Sequence, residues 1–187
     1  MKTRFNSISS ELIGHRKSVH ELCRQFSRSP SKGNLKRLKM LFHSCGEEVF
    51  IEQGFHMDYG DNITIGDRVF INVNCTLIDG KGPAVNKADE EGLINGKISI
   101  GNDCLIGPNV QLLAISHDVD PDSRLVKHNY VDDIIIGNNV WLGGGVIILA
   151  GVIIGDNAVV GAGSVVTKNI DEQCFYAGNP ARKIRAL

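Results

Sequence analysis

The sequence has 187 residues, of which 42% are hydrophobic and only 6% are aromatic, and its formal net charge is −1. This composition favours one domain with an appendage, built on an aliphatic core rather than on large rings. The charge is uneven: residues 1–43 carry ten Lys and Arg against two Glu, and the other 144 residues carry ten against nineteen acids. A basic segment can bind nucleic acid or a membrane surface. We interpret this one as solvated helix faces and expect neither partner.

Membrane-crossing and export signals are not recognisable in the sequence. No stretch approaches the roughly 20 apolar residues that span a bilayer, and the N-terminus has no apolar core of the signal-peptide type. The five cysteines are odd in number and have no paired spacing, which indicates a reducing compartment. We therefore expect a cytoplasmic protein.

The first part of the chain predicts two helices. Residues 9–28 place apolar side chains on one face at helical spacing, and Ser9 or Ser10 can cap this helix. A break with Pro and Gly follows. Residues 34–44 then predict a second, shorter amphipathic helix.

Further along, an aliphatic residue returns every six positions. It does so in three blocks: Ile65, Ile71 and Leu77; Ile100, Ile106 and Leu112; Ile136, Leu142, Ile148, Ile154, Val160 and Val166. A period of six is neither helical nor simple strand alternation, and it is typical of a parallel β-helix in which three six-residue faces close one triangular coil. A small or β-branched residue four positions later fits a second inward position, with Ser164 as the polar exception. The period does not fix the hand of the coil.

Two segments interrupt the repeat. We assign residues 1–46 to a helical N-terminal module and residues 47–187 to the β-helix domain, with residues 47–60 extended and leading into the coil. Excursion loops are expected at 80–97 and 117–133, followed after the last coil by a C-terminal tail. Long loops in a compact repeat are commonly functional, so either excursion is a candidate for the site.

His117 closes a coil unit and opens the second excursion, where a rigid scaffold can position a reactive group. An imidazole can act as a general base near neutral pH. A single His is more often structural or merely exposed, so position alone does not establish a catalytic role. Zinc needs three or four ligands, and the coil region offers only His117 and His128, so we expect no metal.

Other residue types suggest ligand contacts. Trp141 occupies the last, outward position of a hexad, where it can pack on another subunit or line a ligand groove. The basic residues Lys168, Arg182, Lys183 and Arg185 can meet phosphates or remain solvated. Gly144 lies in a run of three glycines that suits either close approach of a ligand or a tight turn.

Together these residues resemble the hexapeptide-repeat acyltransferases, specifically the maltose and galactoside O-acetyltransferase group. The resemblance covers nearly the whole chain and rests on an ordered set of segments: Asp58-Tyr59-Gly60, Asn72-Val73-Asn74-Cys75, Ile78-Asp79, Ser116-His117 with Asp120-Pro121, and residues 136–143, 161–168 and 178–182. It implies a left-handed β-helix, a homotrimer with three active sites at subunit boundaries, and acetyl-CoA as the donor.

The resemblance also implies roles for individual residues. His117 is the general base that takes the proton from an acceptor hydroxyl, whose oxygen attacks the thioester directly without an acyl-enzyme. Asn72 binds an acceptor sugar, with Asp58 and Asp79 at neighbouring substrate-side positions. The positions that hold coenzyme A are Trp141, Gly144, Ala162, Thr167, Lys168, Arg182 and Arg185.

Three departures from the family pattern leave the acceptor open. The 80–97 excursion is longer than the family's usual connection, Gly80 stands where a galactoside enzyme is expected to carry a second acid, and an acidic position near the N-terminus falls on Asn6 or Ser7. One alternative is therefore a related acetyltransferase that acts on an amino sugar, a polysaccharide unit or a xenobiotic alcohol. The other is a non-catalytic β-helix scaffold.

Overall fold

The structure, a computed structural model, describes residues 3–5, 9–83 and 93–187. Asn6 and Ser7, and residues 84–92 of the predicted first excursion, lie outside these ranges. Within them no helix is both long enough and apolar enough to span a membrane.

Two helices precede the coils, as predicted. They are α1 (Ser10–Arg28) and α2 (Lys32–Lys39), and a short α3 (Pro121–Arg124) follows much later. The Ser9 hydroxyl caps α1 by accepting the Leu12 N–H at 3.3 Å. The second helix ends at Lys39 rather than near Ser44, because Ser44 already pairs with a coil strand.

The strands in the described part of the chain are short. In chain order they are β1 (Thr3–Phe5), β2 (Ser44–Cys45), β3 (Phe50–Ile51), β4 (His56–Met57), β5 (Ile63–Ile65), β6 (Phe70–Ile71), β7 (Thr76–Ile78), β8 (Gly80–Pro83), β9 (Leu93–Gly96), β10 (Ile98–Ile100), β11 (Leu105–Ile106), β12 (Gln111–Leu113), β13 (Ile115–His117), β14 (Asn129–Val131), β15 (Ile134–Ile136), β16 (Trp141–Leu142), β17 (Ile147–Leu149), β18 (Ile153–Ile154), β19 (Val159–Val160), β20 (Val165–Val166), β21 (Cys174–Gly178) and β22 (Ala181–Ala186).

Each coil contributes one strand to each of three sheets, which form the three faces of a prism. The sheet orders are β18-β15-β10-β5-β2, β22-β21-β19-β16-β11-β6-β3 and β20-β17-β12-β7-β4. Neighbouring coil strands are parallel and stack the six-step residues in register; on one face Leu77, Leu112, Ile148 and Val166 lie in line. These side chains are at most 1% exposed. The predicted parallel β-helix and its inward residues are thereby confirmed.

Ser164, the one polar residue at a predicted inward position, has hydrogen-bond partners for its hydroxyl. Ser164 is fully buried; its hydroxyl donates to the Gly161 carbonyl at 2.6 Å and accepts the Gly178 N–H at 3.0 Å. A buried hydroxyl with both partners avoids the cost of an unmade hydrogen bond. Ser164 therefore joins the last coil to the C-terminal hairpin of β21 and β22.

The coil begins one turn earlier than the sequence predicted. Strands β2, β3 and β4 pair with β5, β6 and β7, so residues 47–60 are the first coil and not an extended lead. Cys45, Ile51 and Met57 keep the six-residue step, but Ile65, which pairs with Cys45 in the next coil, comes eight positions after Met57 and breaks the phase. Strand β2 falls inside the residues assigned to the helical module; the division at residue 46 itself stays a prediction.

Asp79 orders the corner that makes this eight-residue step. One carboxylate oxygen accepts the Tyr59 N–H at 2.9 Å, and the other accepts the Gly60 N–H at 3.0 Å and the Asn62 side-chain amide at 3.4 Å. Asp79 is fully buried. Burial raises its pKa to about 6, although these hydrogen bonds act in the opposite direction.

We expect the six-step core to carry the stability of the coil. Leu112→Ala, at a fully buried site, should lower the free energy of unfolding by about 2 to 5 kcal/mol, because it removes apolar contacts and leaves a cavity. The matched control is Leu105→Ala in the same coil, at a site that is 52% exposed. It should lower the free energy of unfolding, measured by urea denaturation, by at most about 1 kcal/mol. Equal losses would contradict the inward assignment of Leu112.

Asp79 should make stability fall as pH rises. Its pKa is about 6 in the fold against 3.8 for a free Asp, so the folded state holds the proton more tightly between these values. The stabilisation that proton binding at Asp79 provides is complete below about pH 4 and is lost by about pH 6. Its loss lowers the free energy of unfolding by about 2 to 3 kcal/mol. Asp79→Asn cannot titrate, so the stability of the wild type relative to this variant should drop across that range. A difference that stays flat across that range would contradict the prediction.

Candidate active site

An apolar groove runs along one face of the coil. The outward residues of β3, β6, β11, β16, β19 and β21 are paired in one continuous row: Phe50, Phe70, Leu105, Trp141, Val159 and Phe175. Inward and outward residues alternate on these strands, so stacking of the core also stacks this row. The groove beside it has a volume of about 670 Å³.

Five of the residues predicted to bind ligands line this groove. They are Asn72, Trp141, Gly144, Ala162 and Arg185. Trp141 is 54% exposed, which confirms its predicted outward orientation. The predicted coenzyme A residues Thr167, Lys168 and Arg182 are exposed but lie outside the groove lining.

The glycine run that contains Gly144 makes the tight turn that its sequence allowed. Gly145 has a φ of +70°, which favours glycine and makes a tight turn. A Cβ on Gly143 would lie 2.6 Å from the Ala162 nitrogen of the next coil, so only glycine allows the corners to stack this closely. Gly144 itself lines the groove, where a Cβ would lie 3.3 Å from the Pro108 ring.

The C-terminal hairpin brings positive charge to the groove. Strands β21 and β22 are antiparallel. The Arg185 guanidinium lies 6.0 Å from the centre of the Phe175 ring and lines the groove. Lys183 is instead paired with Asp171 at 3.0 Å. Arg185 is thus the basic residue of this hairpin that lines the groove.

His117 ends β13 and is exposed at the edge of the coil. Its Nδ1 lies 3.4 Å from the His128 carbonyl oxygen. Donation from Nδ1–H to this carbonyl leaves the Nε2 lone pair free to accept a proton. Strand β14 pairs antiparallel with β13 on one side and with β1 on the other, so a three-stranded sheet holds the backbone at His117.

The segment after His117 is ordered by its own polar contacts. The Tyr130 hydroxyl donates to Asp118 at 2.8 Å, and Asp120 caps α3 by accepting the Ser123 N–H at 2.7 Å. Arg124 donates to the Val119 carbonyl at 3.0 Å. Sequence reasoning missed the contributions of Tyr130 and of the His128 carbonyl, because neither has a recognisable motif.

His117 does not line the groove within one chain. Among the described residues, the groove is lined by one sheet of the coil and the corners beside it. His117 lies at the end of β13, which follows β12, and β12 belongs to another sheet. The predicted base and the predicted coenzyme A residues therefore occupy separate surfaces of a single protomer.

The residues predicted to bind the acceptor lie in three different places. Asn72 lines the groove, and its side-chain oxygen accepts the Val73 N–H at 2.8 Å. Asp58 lies beside His20 of α1 and His56 of β4 instead. Asp79 is fully buried with both oxygens engaged by its own chain, so it positions the Tyr59–Gly60 backbone rather than offering an oxygen to a ligand.

Contacts around Asp58 were not expected from the sequence. The sequence predicts only His117 and His128 in the coil region, but His56 lies on β4, which belongs to the first coil. The His20 Nε2 lies 3.0 Å and the His56 Nε2 lies 4.0 Å from the same Asp58 oxygen. Burial, and then the charge of His20, lower the pKa of His56.

Family models match the repeat region. The bacterial transferase hexapeptide model, which describes six repeats, matches residues 133–168. The model for the hexapeptide repeat of succinyl-transferase matches residues 97–112. Both ranges fall on stacked coils of the structure.

Similar proteins extend the match to most of the chain. The chain is 36% identical to a galactoside O-acetyltransferase of Lactococcus lactis, covering 87% of this chain and 72% of that protein. The solved maltose O-acetyltransferase of Clostridium difficile is 34% identical with a TM-score of 0.84, covering 98% of this chain and 92% of that one. A hexapeptide-repeat acetyltransferase of Vibrio cholerae, solved with acetyl-coenzyme A, is 31% identical with a TM-score of 0.83, covering 98% and 92%.

These matches confirm that the β-helix is left-handed and that the protein is an acyltransferase, as predicted. The chain belongs to the hexapeptide-repeat acyltransferases, in the group of the maltose and galactoside O-acetyltransferases.

Proposed function

We propose that the protein is an acetyl-CoA-dependent O-acetyltransferase that acetylates a hydroxyl of a sugar or a similar small alcohol. The observation that carries this proposal is the groove, which gathers Asn72, Trp141, Gly144, Ala162 and Arg185 on one apolar face. A relative with 31% identity has been solved with acetyl-coenzyme A. A groove of this kind suits a long, narrow donor.

The donor would lie along the outward row. The pantetheine arm can pack on apolar side chains such as Trp141, with Gly144 allowing close approach. The phosphates can pair with Arg185, because charge-assisted hydrogen bonds to phosphate are among the stronger ones. We assign Thr167, Lys168 and Arg182 to the outer part of the same coenzyme, beyond the groove lining.

His117 would act as the general base. Its Nε2 takes the proton from the acceptor hydroxyl while the oxygen attacks the thioester carbonyl. The tetrahedral intermediate then expels the thiolate of coenzyme A, which receives the proton from the imidazolium and leaves as the thiol. The bond from carbon to sulfur breaks, the ester forms, and no acyl-enzyme is needed. The His128 carbonyl keeps the ring in the tautomer that the first step requires.

The separation of His117 from the groove supports an active site shared between subunits. We propose a homotrimer in which His117 of one copy faces the groove of the next. This arrangement would place Asn72 near the acceptor, and we keep Asp58 as the second acceptor contact. Asp79 is left out of the acceptor contacts because its carboxylate is buried.

The identity of the acceptor depends on the residues after Asp79. Gly80 is the first residue of β8 and is buried, and a Cβ there would lie 2.3 Å from a methyl carbon of Val131 on β14. A side chain at residue 80 cannot be accommodated in this packing, so this position cannot supply the acid expected of a galactoside enzyme. This favours glucosides or maltose over galactosides as first acceptors to test.

The activity is tested by replacing the proposed base. His117→Ala should lower kcat with maltose or glucose by about 10² to 10⁴, the usual contribution of general base catalysis. The measurement is thiol release from acetyl-CoA, with binding of coenzyme A followed by calorimetry. His128→Ala is the matched control, because it keeps the backbone carbonyl that His117 contacts, and it should retain most activity.

Each result discriminates between the alternatives. An unimpaired His117→Ala variant would refute the assignment of the base. Tight binding of acetyl-CoA without turnover of maltose, glucose or galactosides would favour a different acceptor, such as an amino sugar or a xenobiotic alcohol. No binding of coenzyme A by the wild type would favour the scaffold interpretation.

Two variants on β22 test whether Arg185 binds the phosphates of coenzyme A. Arg185→Ala should raise KM for acetyl-CoA about tenfold or more with little change in kcat, because it removes a charge-assisted contact made equally in the ground and transition states. Lys183→Ala, two residues away and already paired with Asp171, should change KM less than about twofold. Equal effects of the two variants would contradict the assignment of Arg185.

A further inference from the structure

Three potential metal ligands converge where α1 meets the first coil. His20 lies on α1, His56 lies on β4, and Asp58 directly follows β4. Their ligand atoms all lie within 4.8 Å of one another. Helix α1 also contacts β4 directly, so packing of the helix on the coil brings the two imidazoles together.

The spacing of the three atoms suits one small ion. In a tetrahedral zinc site with bonds near 2.0–2.1 Å, neighbouring ligand atoms are about 3.3 Å apart. The distances to the Asp58 oxygen are 3.0 Å from His20 and 4.0 Å from His56, which bracket that value. The centroids of the two rings are 4.5 Å apart.

The surroundings permit an ion to enter. The side chains of His20, His56 and Asp58 are 25%, 39% and 16% exposed, so they are reachable without unfolding, and a water can take a fourth position. The neighbouring cation Arg24 is paired with Glu21 at 2.8 Å and 3.0 Å. This pairing reduces its repulsion of a metal ion.

We infer that His20, His56 and Asp58 bind one divalent transition-metal ion, with Zn²⁺ as the expected occupant, and that the ion fastens α1 to the first coil. Two imidazole nitrogens and one carboxylate oxygen match the ligands of Zn²⁺, whereas Mg²⁺ and Ca²⁺ prefer oxygen ligands alone. The site differs from the sequence expectation of no metal, which considered only His117 and His128. The inference does not rest on the proposed acetyl transfer, although Asp58 is shared with the proposed acceptor contacts.

The test is metal binding by the untagged, full-length protein after treatment with EDTA. Titration calorimetry with ZnCl₂ should show one ion per chain. His20→Asn and His56→Asn should each weaken binding at least tenfold, because each removes one of three ligands. His43→Asn, an exposed histidine outside the cluster, is the matched control and should leave binding unchanged. Circular dichroism checks that each variant is folded.

Cobalt provides a readout that does not depend on the variants. Co²⁺ bound to the wild type should give visible ligand-field bands without the strong near-ultraviolet band of a cobalt–thiolate bond, since no cysteine is assigned as a ligand. Zn²⁺, but not Mg²⁺, should also raise the melting temperature. Absence of zinc binding, undiminished binding by the two histidine variants, or a thiolate band would each overturn the inference.

Discussion

The structure depends on one constraint: each coil must place its inward aliphatic residue directly on that of the next coil. Ile71, Ile106, Leu142 and Val160 illustrate it, in register from coil to coil and almost completely buried. Because a solenoid gains its stability from contacts between neighbouring repeats, the step of six residues cannot vary within a block. The same register fixes the outward residues, so the apolar groove follows from the packing of the core. The site is thus a property of stacked coils rather than of any single loop.

Much of the fold could be predicted from this step, and the exceptions have physical reasons. The position of Trp141 in its hexad predicts an outward side chain, and the structure confirms it. The first coil was missed because the corner from Tyr59 to Asn62 adds two residues, which Asp79 stabilises from inside. The cluster of His20, His56 and Asp58 could not be foreseen, since it depends on how a helix docks on a coil and no local period records that contact.

The candidate site was predicted unevenly for a similar reason. Trp141, Gly144, Ala162 and Arg185 follow strands of one sheet or its hairpin and meet in one groove. Thr167 and Lys168 follow β20 on another sheet, and His117 extends from a third position on the surface. A sequence motif identifies residue types in order along the chain, but it does not say whether they meet within one chain or between two copies. Asp79 shows a further limit, because an acid at a substrate-side position can be fully used by its own backbone.

We propose that His117 of one subunit completes the groove of another. Mixing two inactive chains tests this shared site. One chain carries His117→Ala, and the other carries Ala162→Trp, which fills the groove at an exposed position. When the two are co-expressed, random assembly gives intact pairs of His117 and groove in about a quarter of the sites if they come from neighbouring subunits. A site shared between subunits should therefore return about this share of wild-type thiol release. If the mixture is as inactive as either chain alone, both parts of the site must come from the same chain, and the shared site is wrong.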